Sequence, residues 1–279
     1  MKDDIIDYLL RHQLINPSQH GFMPNKSFAT NLLEFLEKIT DLFDNSIPLD
    51  VVFLDFSKAF DKVPHKRLLA KMNSLGIRGN LLRWTESWLK DRKQRTVLNG
   101  TCSNWSKVFS GVPQGSVLGP SLFVIFINDI DNFTRNISIM LKFADDTKLG
   151  NVASGVKDCE NLQQTINDLL VWAETWCMKF KTAKCKVLHL GRTNSHHIYN
   201  MNGTDLISIN KERDIEVLMS NSLKPSLQCT QAANRAFAIL KQITRAFMLR
   251  DKEVFLLLYK HKYATHRTLA EDLIFENFS

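Results

Sequence analysis

Apolar residues at 32, 36, 39 and 43 in "TNLLEFLEKITDLF" fall on one side of a 3.6-residue repeat, which predicts an amphipathic helix. The period then changes. "LDVVFLDF" (49–56) is a short run rich in β-branched and aromatic residues, which predicts a buried strand ending near Asp55. "HKRLLAKMNSLG", stopped by Gly76, and "NLLRWTESWLK" predict two short helices. "RKQRTVLNG" and "SNWSKVFSG" predict paired strands around an Asn-Gly turn. "VLGPSLFVIFINDI" is apolar on nearly every side, so as a helix it lies deep in the core. "ISIMLKFA" and "TKLGNVA" predict two strands joined through Asp145 and Asp146. "KDCENLQQTINDLLVWAETWCMKF" (157–180) predicts a long amphipathic helix, followed by strand "CKVLHLG", a hairpin at "YNMNGTDLISI" and further helices from about 224. This order predicts an α+β fold, an antiparallel sheet with helices on one face.

At 279 residues the chain has room for one large domain or two to three subdomains. Its net charge of +7 favours an anionic partner, nucleic acid first among them. Five cysteines, none spaced C-x-x-C, argue against a disulfide framework or structural zinc and fit a reducing, intracellular compartment. The start "MKDDIIDYLL" is acidic where a signal peptide would be basic, and "SLFVIFINDI" is too short to span a bilayer, so no membrane is expected. The charge is unevenly spread. Lys or Arg stands at 62, 66, 67, 71, 78, 83, 90, 92, 93, 95 and 107, against Glu86 and Asp91. A second basic cluster runs from Lys179 to Arg192, and between the two lies an acidic stretch, Asp129, Asp131, Asp145 and Asp146. Basic segments around an acidic centre suit a protein that grips phosphates and holds divalent cations in the middle.

Successive strand residues point to opposite faces, so two adjacent carboxylates converge only at a turn, where Asp145 and Asp146 are expected. An isolated Asp-Asp reads as a polar turn. Asp55, also at the end of an apolar strand, supplies a third carboxylate, with Asp61 as a rival in the same segment. Three carboxylates suit two hard cations, one lowering the pKa of an attacking hydroxyl and one stabilising a leaving pyrophosphate.

"LDFSKAFDKVPHKRLL", "SGVPQGSVLGPSLFVIFINDI" and "FADDTKL", in that order, resemble motifs A, B and C of reverse transcriptases of non-LTR, LINE-like retrotransposons, especially the jockey-like branch. The resemblance runs from "SQHGF" (18–22) through "KCKVLHLG" (184–191), and more weakly through "ERDIEVL" to the helices near 250. It implies a right-hand polymerase: partial fingers at 1–49, palm with motif A at 50–61, a basic fingers and palm segment at 62–110, palm with motifs B, C and D at 111–206, and a primer-grip hairpin with partial thumb at 207–279. It implies RNA-directed DNA polymerase activity on an RNA template and DNA primer with dNTPs, using two Mg2+ ions, with Mn2+ as an alternative. Asp55, Asp145 and Asp146 are then the metal-binding catalytic carboxylates, with the Phe56 carbonyl a further ligand. Phe60 takes the steric-gate position that excludes a ribose 2′-hydroxyl. Gln114 and Gly115 contact the incoming nucleotide and template, and Lys184 matches the motif D lysine, a general acid for pyrophosphate.

There are departures. The family usually has a basic residue after "GF", where this chain has Met23, leaving Lys26 as the nearest cation for a triphosphate. An R-P-I-S-like fingers segment is missing, Lys181 stands for Asn and Glu216 for Gly, and the tail 259–279 matches nothing in the family. An endonuclease domain is expected in the parent polyprotein and is not found here, so the chain reads as a piece of a longer one. A retroelement remnant that binds nucleic acid without catalysis is the competing reading, and an unrelated metal-dependent phosphotransferase a third.

Overall fold

In the computed structural model, residues 1–246 are described apart from 135 and 216, together with 252, 253 and 256–258. They fall into two units, Met1–Ser208 and Ile209–Ser279. The first opens with α1 (Lys2–Arg11) and α2 (Phe28–Asp44), the latter started by a capping box in which Ser27 and Thr30 bond reciprocally. β1 (Leu49–Leu54) follows, then α3 (Ala59–Lys62), α4 (His65–Ser74) and α5 (Gly79–Leu89). The hairpin comes next, β2 (Lys93–Gln94) pairing with β5 (Ser106–Lys107) and β3 (Val97–Leu98) with β4 (Thr101–Cys102). Asn99 and Gly100 turn it with φ of 48° and 79°, the left-handed pair that a two-residue hairpin loop requires.

α6 (Gly119–Ile127) is buried along its length, as its unbroken apolar sequence requires. A 3-10 turn, Asn128–Phe133, leads to β6 (Ile139–Phe143) and β7 (Asp146–Val152). α7 (Val156–Thr175), β8 (Lys186–Leu190), β9 (Asn200–Met201), β10 (Thr204–Asp205) and β11 (Ile207–Ile209) follow. α7 stops five residues short of the predicted 180. Cys177 turns the chain with φ 55°, and Phe180 instead bridges Phe56 and stacks on its ring at 4.4 Å.

The main sheet has the order β11-β8-β1-β7-β6. β1 is central and antiparallel to both neighbours, with Val52 opposite Leu149 and Val187. A strand enclosed on both faces is apolar except where a buried polar group is fully paired, which is why 49–54 shows no alternation and carries only Asp50 as a charge. Val52 and Leu54 join Phe123, Leu169 and Trp172 of α6 and α7 in one core. Phe53 points the other way and meets Phe35 of α2 edge-on at 6.4 Å. The α+β palm with an antiparallel sheet stands, but its helices cover both faces rather than one.

Buried charges tie these layers together. Lys71 of α4, counted in the basic segment expected to grip phosphates, is 6 % exposed. Its ammonium lies 3.7 Å over the Trp176 ring, donates to the Phe126 carbonyl and reaches Asp129 at 2.5 Å, and Trp172 Nε1 donates to the same carboxylate. Lys142, fully buried in β6, pairs with Asp131, which also accepts from Ser18 Oγ at 2.5 Å. Asp129 and Asp131 therefore neutralise core lysines and do not belong to an acidic centre with Asp145 and Asp146. Asp50 is a third case. Burial would raise its carboxyl, but bonds from His189, Tyr199 and Asn194 outweigh that and hold it below the usual range.

The second unit pairs β12 (Lys211–Asp214) with β13 (Val217–Ser220), and α8 (Ser226–Ala246) sends Gln228 back to accept from the Leu218 amide at 2.9 Å. Glu216, Arg250 and the tail 259–279 lie outside the described residues. No helix among those described is long and apolar enough to cross a membrane.

Burial pushes the Lys71 ammonium down to about 8 against the pull of Asp129. An unfolded lysine keeps its proton to about 10.4, so between pH 8 and 10 the unfolded chain binds the extra proton and stability rises with pH. Urea denaturation should show that rise in the protein and its loss in Lys71→Met. Equal pH slopes in the two would mean that Lys71 is not a buried charge.

Candidate active site

β6 and β7 are joined by the two-residue loop Ala144-Asp145, with Phe143 opposite Asp146. Such loops demand positive φ, normally supplied by Gly or Asn, yet here Ala144 adopts 56°. The segment "SQHGF" holds it there. Gln19 Oε1 accepts from the Ala144 amide at 3.0 Å and from the Gly21 amide at 2.8 Å, while Nε2 donates to the Ala144 carbonyl at 3.3 Å. Beside it, Lys142 donates its amide to Ser18 and accepts from the His20 amide, a parallel bridge along β6. The approach is close enough to require glycine, since a Cβ on Gly21 would sit 2.2 Å from the Ala144 nitrogen. Gln19 is the residue that sequence reasoning missed. It lay inside a quoted motif, but its partner is 125 residues away.

Asp55 follows β1, whose last residue Leu54 faces Thr147, so its carboxylate comes beside those of the β6–β7 loop. The backbone is stapled there, the Lys181 amide donating to the Asp55 carbonyl at 2.7 Å and the Ser57 amide to Lys179 at 2.8 Å. These bonds use the carbonyl of Asp55 and not that of Phe56. Lys184 Nζ stands 3.0 Å from Asp55 Oδ2. That bond, with the fields of Asp55, Asp146 and Asp145, raises the Lys184 ammonium above the usual lysine range. Burial raises the Asp145 carboxyl, and Asp55 adds to it. Asp55, Asp145, Asp146 and Lys184 thus form one electrostatic cluster.

As placed, no three His, Cys, Asp or Glu among the described residues form a group able to hold an ion unaided. The donor chemistry still fits magnesium or manganese. These hard ions take oxygen ligands, and magnesium is usually held by one or two carboxylates with substrate phosphates completing the shell. A cation would also relieve the repulsion that raises Asp145.

Phe60 stacks on Phe123 at 4.3 Å and meets Phe22 edge-on at 6.1 Å, which fixes its ring. Asp61, the rival carboxylate, is carried off by α3 and accepts instead from Gln114 Nε2 at 3.1 Å. The loop before Gln114 is pressed onto that helix, the Val112 amide donating to Phe60 and the Gly111 amide to Val63. A Cβ at Gly111, whose φ is 92°, would lie 2.7–2.9 Å from the Asp61 backbone. Gln114 and Gly115 are exposed, Gly115 at φ 76°. Lys26 is not brought to the cluster. Its amine donates to the Pro17 carbonyl, and the carboxylate acting on it is Glu34. Met23 is buried with Ile6 and Val124.

Residues 1–242 match the family described as "Reverse transcriptase (RNA-dependent DNA polymerase)". The chain is 33% identical over 193 residues to the RNA-directed DNA polymerase from mobile element jockey of Drosophila melanogaster, covering 66% of this chain and 21% of that protein. It is 27% identical over 181 residues to the probable RNA-directed DNA polymerase from transposon X-element of the same species, covering 63% and 20%. The chain thus spans about a fifth of the length of these relatives. Among solved structures, Candida tropicalis telomerase in complex with a fragment of telomeric RNA aligns with a TM-score of 0.56 at 11% identity, over 94% of this chain and 46% of that one. Its apo form aligns with a TM-score of 0.54 at 11% identity, over 80% and 39%. At such identity the likeness speaks for the polymerase fold alone. With motifs A, B and C inside the matched residues, the chain belongs to the reverse transcriptase family.

Proposed function

We propose that this chain is an RNA-directed DNA polymerase domain that extends a DNA primer with dNTPs along an RNA template, within the cell. The observation that carries the reading is the convergence of Asp55, Asp145 and Asp146 at the ends of adjacent antiparallel strands, with Asp145 driven up by burial and by Asp55. Residues 1–49 act as part of the fingers, 50–61 and 111–206 as the palm, 62–110 as a segment shared by fingers and palm, and 207–279 as the primer grip and part of the thumb.

Asp55, Asp145, Asp146 and the Phe56 carbonyl would hold two magnesium ions, or manganese. Those ions supply activation of the primer 3′-hydroxyl and charge stabilisation on the departing pyrophosphate. Lys184, protonated and raised by its carboxylate neighbours, donates a proton or a hydrogen bond to that pyrophosphate. Phe60, immobilised against Phe123, walls off the 2′-position of the nucleotide sugar. Gln114, anchored on Asp61, and Gly115 line the approach to the templating base. The competing reading, binding without catalysis, is favoured by one observation. Met23 is an uncharged, buried side chain where a basic residue is usual, and the Lys26 ammonium is engaged by the Pro17 carbonyl, so neither position offers a free cation to the triphosphate.

Primer extension on an RNA template decides between the two. Magnesium-dependent extension establishes the polymerase, and its absence from a folded protein that binds duplex establishes the remnant. Asp145→Asn should lower extension by about a thousandfold, several kcal/mol of transition-state stabilisation, and leave duplex binding intact. The raised Asp145 carboxyl binds its proton more tightly folded than unfolded, so stability falls as pH rises through the raised value. Asp145→Asn should therefore melt higher than the native protein at pH 7, the gap shrinking as pH falls toward the ordinary carboxylate range. A lower melting temperature at pH 7 would contradict that burial. Phe60→Val should admit ribonucleotides about tenfold better relative to dNTPs, a packing change of 1–3 kcal/mol. Unchanged sugar discrimination would remove Phe60 from the gate.

A further inference from the structure

The hairpin β2–β5 within 62–110 has an unusual surface. Lys93 stands directly opposite Lys107 in the β2–β5 ladder, and both are exposed. Like charges facing each other across a strand pair destabilise it. At the foot of the hairpin is a groove of about 230 Å³ whose lining includes Lys90, Arg92, Lys93 and Lys107, together with Asp91 and Phe109. Phe109 is 82 % exposed, and further out Trp105 is 59 % exposed with the Arg95 guanidinium 4.7 Å over its ring. Four cations around one acid call for a polyanion, and the exposed ring of Phe109 calls for a flat π-system. Single-stranded nucleic acid offers both in one ligand, phosphates for the cations and unpaired bases for stacking. An acidic peptide offers only the charge.

The groove also leads somewhere. One residue after Phe109, Ser110 Oγ donates to the Asp61 carbonyl at 2.8 Å, and the Gly111 amide donates to Val63. Gln114, three residues further on, is held by the Asp61 carboxylate. The chain that lines the groove is continuous with the loop at the templating position.

Resting on the polymerase reading for its direction, we propose that this groove holds the single-stranded RNA template upstream of the copied base, its phosphates on Lys93, Lys107 and Arg92 and one base stacked on Phe109. Lys107→Glu separates this role from a structural one. It turns the cross-strand repulsion with Lys93 into attraction, so the melting temperature should hold or rise while RNA binding falls.

The measurement is fluorescence anisotropy of the full chain, without dNTPs, on an RNA–DNA primer–template with and without a single-stranded RNA overhang of about ten nucleotides, and on the free single strand. The native protein should bind the overhang form and the free strand more tightly than the blunt duplex. Lys107→Glu should cut that preference about tenfold and lower the salt slope by about 0.7 per lost phosphate contact. Phe109→Ala should weaken it about fivefold or more without changing the slope. An undiminished overhang preference in both variants, or a loss that tracks a lower melting temperature, would overturn the proposal. Because no nucleotide is incorporated, an inactive polymerase leaves the outcome for the groove unchanged, and an active one with no overhang preference refutes the groove alone.

Discussion

The left-handed backbone at Ala144 is the constraint on which the site depends. A residue with a Cβ in that region is disfavoured by about 1–2 kcal/mol, and here it immediately precedes two carboxylates that repel each other. Left to itself, such a loop would relax and the aspartates would diverge. Gln19 opposes this by engaging both the amide and the carbonyl of Ala144, a two-sided grip that fixes the peptide planes on either side. Gly21 permits the approach. The loop that carries Asp145 is thus positioned by its own hairpin geometry and by a segment 125 residues earlier in the chain.

A second constraint separates the carboxylates into two kinds. Asp50, Asp129 and Asp131 are satisfied by hydrogen bonds or buried lysines, and they lock strands and helices together. Burying either partner of such a pair alone would be strongly unfavourable, so these contacts fix register more than they add net stability. Asp55, Asp145 and Asp146 instead lie in the field of Lys184, a half-exposed ammonium bonded to Asp55 Oδ2. A solvent-facing counter-charge of this kind is cheaper to displace than a buried one.

Much of this was legible in the sequence, and for definite reasons. The largely apolar runs at 49–56 and 117–130 pointed to a buried strand and a core helix, and the Asn-Gly turn and Gly76 marked boundaries by backbone chemistry. The α+β palm and its family were readable because motifs A, B and C preserve order and spacing. Other features were hidden. The end of α7 was misjudged because "CMKF" continues the helical pattern, whereas Phe180 gains more by stacking on Phe56. Lys71 read as part of a phosphate-gripping basic segment, and Lys142 drew no notice, because burial depends on neighbours distant in the chain. The acidic stretch looked like one cluster because sequence proximity does not reveal that Asp129 and Asp131 face the core. Gln19 was invisible for the same reason, its partner being a backbone that any residue could present.

The bridge between "SQHGF" and β6 has another consequence. β6 is the last strand on its side of the sheet, and an uncovered rim of that kind offers unpaired amides and carbonyls to strands of neighbouring molecules. Ser18, Gln19 and His20 run parallel to it and take up the outward amide and carbonyl of Lys142. The segment that orients the Ala144-Asp145 loop is therefore also the guard of the sheet's edge. One set of hydrogen bonds serves both, so a chain that let this segment swing away would expose an aggregation-prone rim at the moment it released the loop.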